Sequence, residues 1–74
     1  MQNIITFSSM TAAMRARELL RKNRISARML RTPAKYRRGS CGYSLMTEQN
    51  AEKAAALLRQ AGIGYRGVFA ADER

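Results

Sequence analysis

Cys41 is the residue of this chain best suited to chemistry, and it is the only cysteine. It lies in the basic run Lys35-Tyr36-Arg37-Arg38-Gly39-Ser40-Cys41-Gly42. A thiol reacts as the thiolate, and nearby cations lower its pKa from about 8.5. The pattern therefore predicts a nucleophilic or carrier thiol. The competing interpretation is a buried cysteine that packs as a small apolar side chain.

Composition excludes several other kinds of site. One cysteine and no histidine rule out an internal disulfide framework and a Cys/His metal site, so we expect no metal and no cofactor. The run around Cys41 holds no histidine or carboxylate pair, which a stand-alone enzyme would use for proton transfer, so we expect a non-enzymatic carrier. The first residues lack a charged segment followed by a long apolar stretch, which predicts a cytoplasmic protein without a signal peptide or membrane span.

The basic residues are concentrated in the first half of the chain. The formal net charge is +9, from 14 lysines and arginines against 5 acids. Residues 1–38 contain ten of the cations and a single acid, Glu18, whereas the second half is balanced. This asymmetry indicates an anionic partner, which would be a nucleic acid, an acidic protein surface or a small anion. A solvated basic face that only confers solubility is the alternative.

The two halves of the chain align at an offset of 38 residues. Leu19-Leu20-Arg21 matches Leu57-Leu58-Arg59, and Ile25 matches Ile63. Each half reads as strand, helix, strand, from apolar alternation, helical spacing and turn residues. The predicted elements are strands at 3–7, 25–31, 43–46 and 64–70 and helices at 10–22 and 48–61. Ser9 and Thr47 are the predicted N-caps, and Asn23 and Gly62 the residues that end the helices.

This order predicts a single α+β domain over residues 1–74, a ferredoxin-like βαββαβ sandwich with a four-stranded antiparallel sheet and two helices on one face. Two pseudo-repeats, at about 5–31 and 43–69, flank the long loop 32–42, which contains Cys41. In this topology the loop leaves the sheet at the end where the first helix begins. We therefore expect Ser9 and the positive helix N-terminus to lie towards Cys41.

The chain also resembles the small sulfur/selenium carrier-like proteins over nearly its whole length. The resemblance rests on Ile5-Thr6-Phe7 before a serine-rich cap, on Thr32-Pro33 followed by Ser40-Cys41-Gly42, and on Ala61-Gly62-Ile63. It implies a ferredoxin-like fold in which Cys41 carries sulfur or selenium. The family pattern favours an arginine directly after the proline, where this chain has Ala34.

The carrier interpretation assigns roles to the loop residues. Cys41 would hold a persulfide or selenopersulfide received from a donor enzyme and pass it to an acceptor protein. Pro33 would stiffen the loop, and the residues expected to stabilise the anion or dock the partner are Lys35, Arg37, Arg38, Ser40, Gly42 and Ser9.

The alternative function is a basic nucleic-acid-binding or protein-interaction module with a structural cysteine. Strand parity places the aromatic side chains of the strands on the helix-covered face: Phe7, Tyr43, Tyr65 and Phe69. The open face then has no aromatic side chains on which bases could stack, which disfavours RNA binding. The same parity puts Leu30, Met46 and Val68 on the open face, through which a homodimer could form.

Overall fold

The computed structural model describes residues 3–37, 42–48 and 51–70. Four antiparallel strands and two helices follow in the order β-α-β-β-α-β, which confirms the predicted ferredoxin-like α+β fold. The elements are β1 (Asn3–Thr6), α1 (Met10–Lys22), β2 (Ala27–Arg31), a 3-10 turn (Ala34–Tyr36), β3 (Tyr43–Thr47), α2 (Ala51–Gln60) and β4 (Gly67–Ala70). The second and last strands begin two and three residues later than predicted, because Ile25 and Tyr65 serve as helix-to-strand connections packed on the core.

The strands lie in the order β2-β3-β1-β4, so each half of the chain contributes one central and one edge strand. Ile5 in the centre pairs with Leu45 on one side and with Val68 on the other. The buried apolar core lies between the helices and the sheet face that carries Ile5 and Leu45. Its members are Ile5, Phe7, Ala13, Ala16, Leu20, Ile25, Leu45, Ala54, Leu58 and Ile63.

The first helix has the predicted cap, and the second does not. Ser9 is the N-cap of α1, and its hydroxyl accepts a hydrogen bond of 3.1 Å from the amide of Ala12. The prediction that Thr47 caps α2 is wrong, because Thr47 is the last residue of β3 and pairs with both Asn3 and Ala27. Pairing on both sides holds its backbone in the sheet, and α2 begins at Ala51.

The two helices end in the same way, which is where the repeat is most evident in the structure. Both have the pair of backbone hydrogen bonds of a Schellman motif. The amides of Ile25 and Ile63 donate to the carbonyls of Leu20 and Leu58, each over 2.9 Å. The residue in left-handed conformation is Gly62 in α2 (φ +75°) and Arg24 in α1 (φ +63°). Asn23, predicted as the C′ residue that ends α1, is instead the C-cap, and Arg24 takes the C′ position; the Asn23 side chain donates to the carbonyl of Leu19.

The parity argument for the open face is correct for three strands and wrong for β4. Leu30 and Met46 lie on the face opposite to the helices, as predicted, but Val68 pairs with Ile5 on the helix-covered face and Phe69 pairs with Ile4 on the other. The reason is local. The amide of Arg66 donates to the carbonyl of Thr6, and Gly67 also pairs with Thr6, so two residues face one, as in a bulge. The extra residue reverses the side on which the following side chains lie.

The left-handed Arg24 leads to a stability prediction. Residues with a Cβ pay about 1–2 kcal/mol in this conformation and glycine does not, although glycine loses more entropy on folding. We expect Arg24→Gly to raise the free energy of unfolding by about 0.5–1 kcal/mol, and Gly62→Ala, at the equivalent position, to lower it by about 1 kcal/mol. Urea denaturation followed by circular dichroism measures both. A destabilised Arg24→Gly would contradict the assigned cap.

Candidate functional site

The turn into α1 and the loop 32–42 begin at the same end of the sheet. Thr6, the last residue of β1, pairs with Ser44 near the start of β3 and with Gly67 at the start of β4, and Leu30 near the end of β2 also pairs with Ser44. The strand directions therefore agree with the topology from which we expected Ser9 to lie towards the loop. Cys41 itself is outside the described residues, as are Arg38 and Ser40.

Two contacts close the base of the loop. The amide of Thr32 donates to the carbonyl of Gly42 over 2.8 Å, which continues the pairing of β2 with β3 beyond Arg31. The hydroxyls of Thr32 and Ser44 are hydrogen-bonded to each other, and both side chains are buried. A buried hydroxyl is costly unless it has a partner, so this pair favours one placement of the chain as it leaves the sheet.

The chain then forms one 3-10 turn. Pro33 precedes the turn with a φ of −56°, a value that the proline ring favours. The amides of Tyr36 and Arg37 donate to the carbonyls of Pro33 and Ala34 over 2.9 and 3.2 Å. This turn directs Tyr36 towards β4, at the opposite edge of the sheet.

Tyr36 stacks on Phe69 of the edge strand β4. The ring centroids are 4.8 Å apart, and the ring planes differ by 23°. The Tyr36 hydroxyl also lies 3.4 Å from the carbonyl oxygen of Ala70, to which it donates. An aromatic pair of this kind contributes about 0.5–1.5 kcal/mol beyond its buried area. Tyr36 thus attaches the loop after β2 to the opposite edge of the sheet.

Gly67 provides the space for this stack. It lies two residues before Phe69 on the same face, and a Cβ added at Gly67 would be 2.9 Å from two atoms of the Phe69 ring. Ring atoms cannot approach a Cβ so closely. The absence of a side chain at position 67 therefore lets the Phe69 ring lie back along its own strand, where Tyr36 meets it.

Together these contacts carry the segment 32–36 across the face that no helix covers. It begins at Thr32 beside Ser44 of β3 and reaches Phe69 of β4, and β1 lies between these two strands. Ile4 of β1 is on this face and is only 2% exposed. The segment 32–36 thus crosses part of the sheet face that the helices leave open.

The two described cations of the loop have specific neighbours. The Lys35 ammonium is 5.3 Å from the centroid of the Tyr36 ring, within the range of a cation–π contact. The Arg37 guanidinium donates to the carbonyl of Thr32 over 3.3 Å. Because of this hydrogen bond, Arg37 braces the base of the loop, a contact that the sequence does not reveal. Lys35 and Arg37 are both exposed residues.

Gly42 has a backbone conformation that favours glycine. Its φ is +95°, which residues with a Cβ rarely adopt, and no described atom lies within 4 Å of where a Cβ would be. Among the described residues, this backbone angle is the reason for a glycine at position 42.

Four residues of this region were not predicted as part of a site. Tyr36 was expected in the loop without a partner, and Phe69 on the helix-covered face. No functional role was predicted for Thr32 or Ser44. The spacing Gly67-Val68-Phe69 is a usable signal, because a glycine two positions before an aromatic on one strand face leaves room for its ring. Nothing local links Phe69 to Tyr36.

A groove lies beside α2, and the described residues contain neither a metal-ligand cluster nor a membrane-spanning helix. Within residues 3–37, 42–48 and 51–70 no group of three or more His, Cys, Asp or Glu could hold a metal ion. A groove of about 500 Å³ lies between α2 and β4, lined by residues that include Glu52, Ala55, Arg59, Tyr65 and Val68. Arg59 donates to the Tyr65 hydroxyl over 2.7 Å. The described helices include none long and apolar enough to cross a membrane.

Comparison with known families decides the affiliation of the chain. The model of a family described as "Putative Se/S carrier protein-like" matches residues 2–70. The chain belongs to this Se/S carrier-like family. The match confirms the resemblance noted from the sequence, and it spans the loop 32–42 and both halves of the fold. Searches of curated proteins and of solved structures found no match.

The stack of Tyr36 on Phe69 predicts how the loop of this family member responds to mutation. In Gly67→Ala the new methyl group displaces the Phe69 ring and removes the stack. We expect amide hydrogen exchange at Tyr36 and Arg37 to accelerate roughly two- to tenfold, which corresponds to the energy of an aromatic pair. Hydrogen exchange followed by NMR measures this directly.

A matched glycine provides the control. Gly64 has no atom within 4 Å of an added Cβ, so Gly64→Ala should leave both amides unchanged. Equal acceleration in the two variants would show that general destabilisation, and not the lost stack, opens the loop.

Proposed function

We propose that the protein carries sulfur or selenium on Cys41. Membership of the Se/S carrier-like family is the observation that carries the proposal, because Cys41 is the only cysteine with which the chain could hold a chalcogen atom covalently. Loop 32–42 is then the functional loop between two pseudo-repeats of one domain. Its described stem is supported by the Thr32–Ser44 pair, the Arg37 brace and the Tyr36–Phe69 stack.

The transfer is an exchange between two sulfurs and needs no outside oxidant. The Cys41 thiolate attacks the terminal sulfur of a persulfide on the donor enzyme. The donor's S–S bond breaks, its thiolate leaves, and a persulfide forms on Cys41. In the second step a nucleophile of the acceptor protein attacks the same terminal sulfur, and Cys41 leaves as the thiolate. A selenopersulfide follows the same steps with selenium as the transferred atom.

The proposed roles of the surrounding residues follow from charge and backbone. Lys35, Arg37 and Arg38 would stabilise the thiolate and the persulfide anion, as would the N-terminus of α1 at Ser9. Ser40 would donate a hydrogen bond, Gly42 supplies the backbone turn, and Pro33 limits the motion of the stem. The cations would also dock acidic surfaces of the donor and the acceptor.

The other functions receive less support. A homodimer through the open face would have to use a surface on which Ile4 is already buried and which the segment 32–36 crosses. Phe69 is on that face, contrary to our expectation, but its ring is engaged by Tyr36 and is therefore not a free platform for a nucleic-acid base. A cytoplasmic location, in which a thiol stays reduced, agrees with the proposal.

Transfer of sulfur to Cys41 is the first test. We expect a covalent adduct of one sulfur atom after incubation with a cysteine desulfurase and cysteine, detected by intact-mass spectrometry. The adduct should be released by dithiothreitol and should be absent from Cys41→Ser. Parallel incubation with selenocysteine in place of cysteine, from which an enzyme of this kind delivers selenium as a selenopersulfide, compares the two elements. Failure to form any adduct on folded protein, with desulfurase activity verified on its usual acceptor, would contradict the carrier function.

The pKa of the thiol is the second test. The rate of alkylation by iodoacetamide against pH should give a Cys41 pKa below the ordinary value of about 8.5, because cations stabilise the thiolate. Arg38→Gln should raise this pKa, whereas Arg59→Gln, in which an arginine of α2 loses the same charge, should not. An ordinary pKa in the unmodified protein would contradict the proposed anion stabilisation.

A further inference from the structure

Among the described residues, one side of strand β2 has no partner strand. β2 lies at the edge of the sheet and pairs there with β3. The described part of the following loop runs away from this edge, over the sheet face towards Phe69 on the opposite edge. Within the described residues, β2 therefore offers a row of backbone groups to another chain, as strand-addition sites do.

The pairing register shows which backbone groups point outward. Thr32 donates its amide to the carbonyl of Gly42, and these two residues continue the register in which Arg31 faces Tyr43. In an antiparallel ladder, hydrogen-bonded and non-bonded pairs alternate. The bonded residues of β2 are therefore Arg28 and Leu30, and the residues whose amides and carbonyls point away from β3 are Ala27, Met29 and Arg31.

The outward edge is flanked by cations on both faces of the sheet. Arg28 is exposed on the face opposite to the helices, near Met46 and the carboxylate-bearing Glu48, with which it lines a small depression. Arg31 is exposed on the helix side, where its guanidinium carbon lies 5.9 Å from the centroid of the Tyr43 ring. Arg24 is exposed just before the strand. A strand added here would have positive charge on either side of it.

The helix next to this edge adds more positive charge. α1 packs against β2 and β3 and carries four exposed cations, Arg15, Arg17, Arg21 and Lys22. Its single acid, Glu18, is paired with Arg21, and the hydrogen bond from Arg21 lowers the pKa of Glu18. The fold therefore gathers the basic first half of the sequence around α1 and β2, here called the basic side, while α2 and β4 carry few cations.

We propose that β2 binds an acidic, extended segment of a partner protein, which adds to the sheet as a fifth strand. The backbone of Ala27, Met29 and Arg31 would supply hydrogen bonds, and Arg24, Arg28 and Arg31 would pair with carboxylates on the added strand. A second copy of this chain is disfavoured, since two β2 edges would bring arginines next to arginines. The proposal goes beyond the carrier function and does not depend on Cys41.

The decisive experiment separates backbone pairing from charge attraction. The probe is a short peptide of alternating glutamate and valine, and its control is the same peptide with every amide N-methylated, which removes all of its backbone donors without a change in charge. Binding to ¹⁵N-labelled protein should shift and protect the amides of Ala27, Met29 and Arg31. We expect the methylated peptide to bind about tenfold more weakly, as for the loss of two or three hydrogen bonds.

Charge variants locate the surface. R28E/R31E should weaken peptide binding by about tenfold or more, and K53E/R66E, with the same change in net charge on exposed residues outside the basic side, by less than about twofold. Cys41→Ser should bind as the unmodified protein does, so that a failed sulfur transfer does not affect this test.

Two results would overturn the proposal. Equal affinity for the methylated and unmethylated peptides would show that charge alone attracts the peptide and that β2 adds no strand. A single-stranded oligonucleotide that binds the basic side more tightly than the peptide, with the same loss in R28E/R31E and a steep salt dependence, would assign this surface to nucleic acid.

Discussion

A four-stranded sheet with both helices on one side leaves its other side to water, and the rest of this structure depends on how that side is covered. The described residues form no further strand or α-helix that could lie there. The segment after β2 takes that place, held at one end by the buried hydroxyl pair of Thr32 and Ser44 and at the other by the stack of Tyr36 on Phe69. Ile4 is buried although it lies outside the main core.

This cover has a direct consequence for the proposed carrier. A thiol that must meet two different proteins has to be reachable, yet the residues around it have to keep a defined arrangement to stabilise an anion. The stem of loop 32–42 meets the second need in its described part, since Thr32, Arg37 and Tyr36 are each bonded or stacked. Cys41 lies four residues after Arg37 and directly before Gly42. Gly42 has a positive φ, and its carbonyl accepts a hydrogen bond from the amide of Thr32.

The distribution of charge has its own structural origin. The cations of the first half become neighbours in space because α1 packs on β2, and β2 is the edge strand of the sheet. Edge strands commonly carry charge because it discourages uncontrolled pairing with other chains. On β2 the arginines would repel a second copy and attract an acidic strand, so the same residues can protect the edge and select its partner.

The sequence alone determined the element order, the Ser9 cap and the family, because these depend on residues close together in the chain. It also located the C-terminal end of each helix to within one residue. Only the tertiary structure decided the cap of α2 and the face of β4. Thr47 is held by strands on both sides, and the bulge at Arg66 and Gly67 reverses the alternation on which parity relies. Tyr36 and Phe69 are 33 positions apart, and no local pattern reports a stack made across a folded sheet.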